Sequence, residues 1–398
     1  MPFLRRLSAS LALAAALCAP AHAASRTWLV VGDIHLDPSA RYDTLAPVGH
    51  DTDGALFASA IAAMARVEPD PPVLVITGDL LAHSFRGDGL ATMRRIADAF
   101  DRAFPRAQFV LAVGNNDDPC GDYRVGSDTT YLERLAAIWT PLVNRGGVAP
   151  GFAQQFARGG YYTVALPGHT RAIVLNSVLW SWRAEECSPF PPGSGADEMQ
   201  WLAKTLAERE PGERLFIAMH IPPGVDAYST SLIQGIAVVP FLAHDSNQAF
   251  ISTVARYRER ISAIVAGHEH SDDKRIVGGV PLLVVSSISP IYGNAPSFDA
   301  LDVNVRGIAH LRTYALKNGA WAPTLATIAH MNAGNGLFFT CARTELGDGY
   351  AACAGIPRRR DIAVLVFALV AAAFTSLPLL GLIRGGMKSQ ADRAVPRG

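Results

Sequence analysis

Thr27-Trp28-Leu29-Val30-Val31-Gly32-Asp33-Ile34-His35 decides how this chain is read: an apolar run stops at a glycine and hands over at once to a carboxylate and an imidazole. Short runs rich in Val, Ile and Leu, bounded by Gly, Pro or Asp, have the character of buried strands. The same transition recurs downstream. Val73–Thr77 leads into Gly78-Asp79, Phe109–Val113 into Gly114-Asn115-Asn116-Asp117, Leu215–Met219 into His220, and Ile261–Ala266 into Gly267-His268-Glu269-His270. Arg171–Leu175 and Pro281–Val285 are further strand-like runs. Between them, Ala55–Val67, Leu90–Phe104 and Met199–Glu208 have helical spacing. Strands alternating with helices, without internal repeats, predict a layered α/β domain.

Ligands of α/β proteins gather where strands end at their carboxyl side, so these scattered residues can converge on one crevice. A glycine before the ligand lets the backbone turn sharply. Asp, His and Asn offer oxygen and neutral imidazole donors, which suit zinc, iron or manganese. Asp33 and His35, like His268 and His270, are two apart, so an extended segment puts each pair on one face. Asp79 is placed to lie between two metals. A single Asp-x-His reads as a surface loop, and a lone His220 as a hydrogen-bonded core histidine. The ordered set of all these pieces, each ending a strand, points to a metal site.

With these motifs the chain resembles the calcineurin-like metallophosphoesterase superfamily, whose ordered signature is Asp-x-His, Gly-Asp-x-x, Gly-Asn-(His/Asn)-(Asp/Glu), an isolated His and Gly-His-x-His. The resemblance spans roughly Trp28 to His270. It implies an α/β fold of four layers, α-β-β-α, and two divalent metal ions, with zinc first and iron or manganese as alternatives. One ion would be held by Asp33, His35, Asp79 and His270, the other by Asp79, Asn115, His220 and His268. The activity implied is hydrolysis of phosphate esters, with water activated between the two ions attacking phosphorus in line.

Within that superfamily, Gly78-Asp79-Leu80-Leu81-Ala82-His83 and Ser289-Pro290-Ile291-Tyr292-Gly293-Asn294-Ala295-Pro296 resemble acid-sphingomyelinase-like phosphodiesterases. Asn116 stands where sphingomyelinases usually carry histidine and is similar to vacuolar endopolyphosphatases. An amide does not titrate usefully, so His83 is the candidate proton donor to the leaving group and Asn116 a donor that orients phosphate. The plain alternative for His83 is a capping residue after the Asp79 loop. The expected function is therefore a phosphodiesterase acting on a lipid head group or nucleotide-like ester. The alternatives are an endopolyphosphatase or broad phosphomonoesterase, and an inactive metal-containing binding protein.

Other polar residues fit bland roles. His50, Asp51 and Asp53 read as a solvated loop, and Asp117 as an anchor for the Asn115 loop. Asp272 and Asp273 read as supporting or surface residues. Trp180, Trp182 and Tyr292 suit a pocket wall or ordinary packing.

The 398 residues are 49% hydrophobic and 18% charged with zero formal net charge, which fits one folded core and offers no electrostatic footprint for nucleic acid. Arg5-Arg6, the apolar stretch Leu7–Pro20 and Ala21-His22-Ala23 read as a signal peptide over residues 1–23. Leu17 before Cys18 argues against lipidation. Ile362–Ile383 is a charge-free run of 22 residues, flanked by Arg358-Arg359-Arg360 and by Arg384 and Lys388, and reads as a transmembrane anchor. The expected layout is a periplasmic catalytic domain over 24–300, an extension over 301–357, the anchor, and a cytoplasmic tail over 384–398. Four cysteines remain after export, and an even number suggests two disulfides. Three pairings are open; Cys341 with Cys353, close in the chain, would leave Cys120 with Cys187.

Overall fold

The computed structural model describes residues 26–356 apart from 126–128, 187–193, 209, 234, 305–306, 325–339 and 343–348. The strands are β1 (Arg26–Val31), β2 (Val73–Ile76), β3 (Gln108–Leu111), β4 (Arg124–Val125), β5 (Tyr162–Leu166), β6 (Thr170–Val174), β7 (Glu185–Glu186), β8 (Arg214–Ala218), β9 (Ile261–Ala266), β10 (Asp273–Val277), β11 (Val280–Val284), β12 (Ser297–Asn304), β13 (Gly307–Lys317) and β14 (Ala320–Thr324). They build two six-stranded sheets, ordered β14-β13-β12-β1-β2-β3 and β10-β11-β9-β8-β6-β5, with β4 and β7 forming a short parallel pair.

The seven apolar runs read from the sequence are β1, β2, β3, β6, β8, β9 and β11. β1, β2 and β3 run parallel, as do β6, β8, β9 and β11, so within each sheet the ligand-type residues leave from the same end. Side chains of both sheets share one apolar core. Trp28 of β1 meets Phe216 of β8 edge to face at 5.3 Å. At one side, the hydroxyl of Tyr162 on β5 accepts from the N–H of Leu111 and donates to its carbonyl, bridging the sheets.

Helices cover the sheets. α1 (Gly54–Val67) starts where the Asp53 side chain accepts from Ala55 N and Leu56 N, and α2 (Gly89–Ala103) where Asp88 accepts from Ala91 N. Phe57 of α1 packs on Phe100 of α2, which in turn packs on Phe109 of β3. α3 (Thr129–Val143) and α4 (Phe152–Phe156) continue this layer through Trp139 and Phe156. α5 (Ser194–Ala207) comes next in the chain. Further along the chain, α7 (His244–Tyr257) packs with α5 and with β10, and Trp180 packs on Phe250 of α7.

The domain boundary expected at residue 300 falls inside β12. That strand pairs antiparallel with β1 from Arg26↔Val303 to Val30↔Asp299, and β13 and β14 add to the same edge, so the sheet runs on to Thr324. A separate compact unit contains Val225–Val239, with helix α6 (Ala227–Leu232), and the described residues beyond 339, with helix α8 (Gly349–Cys353). Its small core joins Val225, Ala227, Cys341, Tyr350 and Ile356. The disulfide Cys341–Cys353 closes it, with Cα atoms 5.7 Å apart.

Cys120 is disulfide-bonded, while Cys187, the signal segment and the apolar run Ile362–Ile383 lie outside the described residues. Among the described residues no helix is long and apolar enough to cross a membrane.

Candidate metal centre

Five segments deliver the expected side chains to one place. Beyond β1 come Asp33 and His35, beyond β2 Asp79, beyond β3 Asn115, beyond β8 His220, and beyond β9 His268 and His270. Gly32 bridges to Ser287 beyond β11, which joins the two sheets at this end. Asp33, His35, Asp79, Asn115, His220 and His270 are all buried. The ligand atoms of Asp33, His35 and Asp79 lie within 4.8 Å of one another, as do those of Asp79, His220 and His268.

Asp79 is the hinge of the arrangement. Its Oδ2 lies 3.4 Å from His35 Nε2 and 3.3 Å from His220 Nε2. His35 Nε2 is 3.1 Å from His270 Nε2, and His270 Nε2 is 3.5 Å from Asp33 Oδ1. On the other side, His220 Nε2 is 3.0 Å from Asn115 Oδ1 and 3.2 Å from His268 Nδ1.

The remaining atom of each group is held by the fold. His35 Nδ1 lies 3.0 Å from the Leu81 carbonyl and His220 Nδ1 3.0 Å from the Thr77 carbonyl. A carbonyl only accepts, so each Nδ1 carries a proton, and Nε2 is the nitrogen turned inward, with a lone pair whenever the ring is neutral. Asn115 donates its amide to Asp122 at 2.7 Å, which turns Oδ1 inward as well. His268 and His270 are held by the Tyr123 hydroxyl at 2.9 Å and the Ser287 hydroxyl at 3.0 Å. Acceptor atoms therefore converge on acceptor atoms. Such a set repels itself unless positive charge lies within it, so the residues fit two cations that share Asp79.

Titration follows the same logic. Burial opposes charge on His220, yet Asp79 and Asp33 beside it push the imidazole up to about 9. Burial, with Asp79 adding to it, pushes Asp33 up to about 7, and burial with the nearby His83 brings His270 down to about 3. Burial also works against Asp79, but His220 and His35 hold its carboxyl well below the usual range. The carboxylates draw a proton onto His220, a charge that a cation would supply instead.

Backbone shape is part of the site. Asp33, His35, Asp79, His268 and His270 all have left-handed φ, at 50°, 46°, 53°, 77° and 53°. Such conformations are costly for residues with a Cβ and collect where surrounding structure enforces them. Gly114 is required by close approach, since a Cβ there would stand 2.0 Å from Asp79 Oδ1.

His83 enters from the side. Its ring stacks on His35 with centroids 4.0 Å apart and an interplanar angle of 18°. Lone pairs of stacked imidazoles run parallel, which disfavours a shared ion even though His35, His83 and His270 are near enough for one. Nor does it cap the Asp79 loop through its side chain: Nδ1 lies 3.0 Å from Asp51 Oδ1. Burial opposes its charge, but the hydrogen bond to Asp51 and that carboxylate's charge raise His83 above its ordinary value.

Asn116 gives its backbone N–H to Asp79 Oδ1 and its side-chain amide to Asp79 Oδ2, each at 2.9 Å. The expected phosphate-orienting donor thus already grips the shared carboxylate, with one amide hydrogen left over. Asn116 also lines a cavity of about 320 Å³ with Asp122, Asp88 and Tyr131.

Of the bland readings, those of Asp51 and Asp53 change and the others hold or sharpen. Asp53 is the buried cap of α1 and Asp51 the partner of His83, so neither is a solvated loop residue. His50 is exposed against Tyr42. Asp117 anchors two loops at once, accepting from Leu80 N, Leu81 N and Gly114 N. Asp272 and Asp273 are buried, the first against Ser286 and Thr313 and the second against Arg275. Trp180 is core and Trp182 exposed, while Tyr292 stands over His270 with ring centroids 4.7 Å apart.

The sequence reading missed Tyr123, Asp122, Ser287 and buried Arg275, which lies 2.5 Å from Glu269 between the two closing histidines. Only the Ser286-Ser287 pair, directly after an apolar strand, carried a signal comparable to the ligands.

The family model described as Calcineurin-like phosphoesterase matches residues 27–272. A sphingomyelinase phosphodiesterase D of Dictyostelium discoideum is 26% identical over 262 residues, 63% of this chain and 56% of that protein. The human acid sphingomyelinase-like phosphodiesterase 3b is 26% identical over 285 residues, 63% of this chain and 59% of that one. The chain thus spans a little over half the length of these relatives. Among solved structures, a dimetal phosphatase from Danio rerio aligns with a TM-score of 0.46 at 13% identity, covering 76% of this chain and 100% of that one.

Proposed function

The chain belongs to the calcineurin-like phosphoesterase family, and from that premise we propose that it is a phosphodiesterase dependent on two divalent cations. The observation that carries this reading is the inward convergence of lone pairs around Asp79. Asp33, His35, Asp79 and His270 would hold one cation, and Asp79, Asn115, His220 and His268 the other. Bound there, the cations supply positive charge to the phosphoryl oxygens and make water a stronger acid. Zinc heads the candidates because imidazole and carboxylate suit it, with iron and manganese close behind.

The protein's own groups do the rest. Asn116 keeps the Asp79 carboxylate in one plane and offers its remaining amide hydrogen to a phosphoryl oxygen. His83, with Nδ1 engaged, has Nε2 to give a proton to the departing alcohol. Tyr292, exposed beside both His83 and His270, forms one wall of the entrance. Burial and the surrounding carboxylates push its phenol up to about 12, so it stays a neutral hydroxyl.

The named relatives make a choline phosphodiester such as sphingomyelin the first substrate to try. Asn116 in place of histidine favours a second reading, a polyphosphatase or broad phosphomonoesterase. Arg5-Arg6 with the apolar segment after them supports export, and the run Ile362–Ile383 supports a tether to the cell membrane.

The test is a panel of aryl mono- and diesters, sphingomyelin, polyphosphate and nucleotides given to the purified full-length protein. Each is assayed before chelation, after it, and after zinc, iron or manganese is restored. Faster diester turnover that chelation abolishes and metal restores is expected. Turnover indifferent to complete chelation would sink the reading, and bound metal without turnover would leave a binding protein.

A further inference from the structure

We propose that Asp51 positions His83 for proton donation, holding the Nδ1 proton so that Nε2 is the atom presented to the leaving group. This rests on the phosphoester reading above.

Asp51 grips both the main chain and the side chain of one residue. Its Oδ2 accepts the His83 backbone N–H at 2.8 Å, and its Oδ1 accepts from the His83 ring at Nδ1, at 3.0 Å. The carboxylate is itself held, because the Ser289 hydroxyl donates to Oδ1 at 3.1 Å. Ser289 opens the segment Ser289–Pro296 that the sequence singled out, and Asn294 donates to its carbonyl at 2.9 Å, closing that turn.

The Asp51 segment is tied to the first metal motif. Thr52 N donates to the His35 carbonyl at 3.1 Å and the Thr52 carbonyl accepts from Asp37 N at 2.9 Å. The His83 ring is therefore boxed in. Asp51 lies at one edge, His35 on one face, and the Tyr292 hydroxyl 3.4 Å from Nε2. His83 also lines a cavity of about 660 Å³.

The chemistry demands this tautomer. In the step, the Nε2–H bond breaks, a bond forms between that proton and the departing oxygen, and the imidazolium becomes neutral. The ring left behind carries its one proton on Nδ1, where a carboxylate stabilises it. An amide at position 51 can turn its NH2 toward the ring and favour the opposite tautomer. Asp51 touches no reacting atom; it acts through His83.

The experiment uses the full-length protein loaded with zinc, as wild type, Asp51→Asn, His83→Ala and the double variant. Two matched diesters differ only in leaving group, a nitrophenolate or an alkyl alcohol. The expected Asp51→Asn result is a loss in kcat at least tenfold greater on the alkyl ester than on the aryl ester, with KM changed less than threefold. The double variant should be no slower than His83→Ala alone, because both changes remove one function. Ser289→Ala, which frees one contact of Asp51 without touching His83, should show the same selectivity at smaller size and covers the case in which Asp51→Asn does not fold. Equal losses on both esters, or losses that multiply in the double variant, would make Asp51 a mere loop anchor. Wild-type protein that turns over neither ester removes the phosphoester reading, and this proposal with it.

Discussion

Asn116 closes on both oxygens of Asp79, its backbone N–H on Oδ1 and its side-chain amide on Oδ2, at 2.9 Å each. The carboxylate shared by the two halves of the centre is thereby fixed in plane before any ion is bound. Replacing Asn116 by Ala removes one of the two donors and leaves the inward lone pairs in place. The expected outcome is about a tenfold to hundredfold drop in cation affinity and turnover, read by metal titration beside steady-state kinetics. Asp79→Asn, which removes the shared charge, is expected to reduce both metals per chain in elemental analysis. Loss of one metal alone would show that Asp79 serves a single site.

Tyr123 tests whether groups behind the ligands matter. Its hydroxyl lies 2.9 Å from His268 Nε2, so Tyr123→Phe deletes that hydrogen bond while keeping the ring. Affinity for one cation should fall about tenfold to hundredfold while the other is bound nearly as before. Two cations weakened equally would argue that Tyr123 shapes the whole cleft.

Asp117 is a question of stability first. One buried carboxylate accepts from Leu80 N, Leu81 N and Gly114 N, at 2.7, 3.1 and 2.8 Å. Asp117→Ala leaves three backbone donors in the interior, each costing about 1–3 kcal/mol. Denaturant unfolding should show a loss of several kcal/mol, and metal binding should weaken with it because both ligand loops lose their anchor. An unfolding midpoint within error of wild type would mean water replaces the carboxylate.

Glu198 on α5, which is not among the ligand-type residues, predicts a pH effect. Its Oε1 accepts from Asn176 N at 2.7 Å, and burial pushes the carboxyl well above its ordinary 4.5. The unfolded chain sheds this proton near the ordinary value and the folded chain keeps it. The folded state thus binds more protons across that interval, and stability falls as pH rises through it. Glu198→Gln should match wild type at low pH and melt higher at neutral pH, by about 2–4 °C per kcal/mol recovered. Parallel melting curves for the two proteins from pH 4 to 8 would assign the titration elsewhere.

Ligand-type residues were legible because each follows the same break, apolar strand then glycine or histidine, and the strand order did not need to be known. Cys341 and Cys353 were legible as neighbours in the chain. What surrounds the ligands was not. Asp51 and His83 are 32 residues apart, Tyr123 and His268 145 apart, and nothing in either segment names its partner. β12 inserts beside β1 from nearly the far end of the domain, which no local pattern foretells. Asn116 reads as a free amide until the chain's path shows Asp79 beneath it.

Five ligand-type residues, Asp33, His35, Asp79, His268 and His270, sit at left-handed φ. Glycine accepts that conformation without the cost of about 1–2 kcal/mol borne by a residue with a Cβ. Glycine at one of these positions would relieve that cost but would also delete a side chain that is hydrogen-bonded inside the fold, as Asp79 is to Asn116 and His35 is to the Leu81 carbonyl. Each buried partner left unpaired costs about 1–3 kcal/mol, so the exchange brings no gain in melting temperature. The bent backbone and the groups it aims are thus one unit, and neither can be traded for the other.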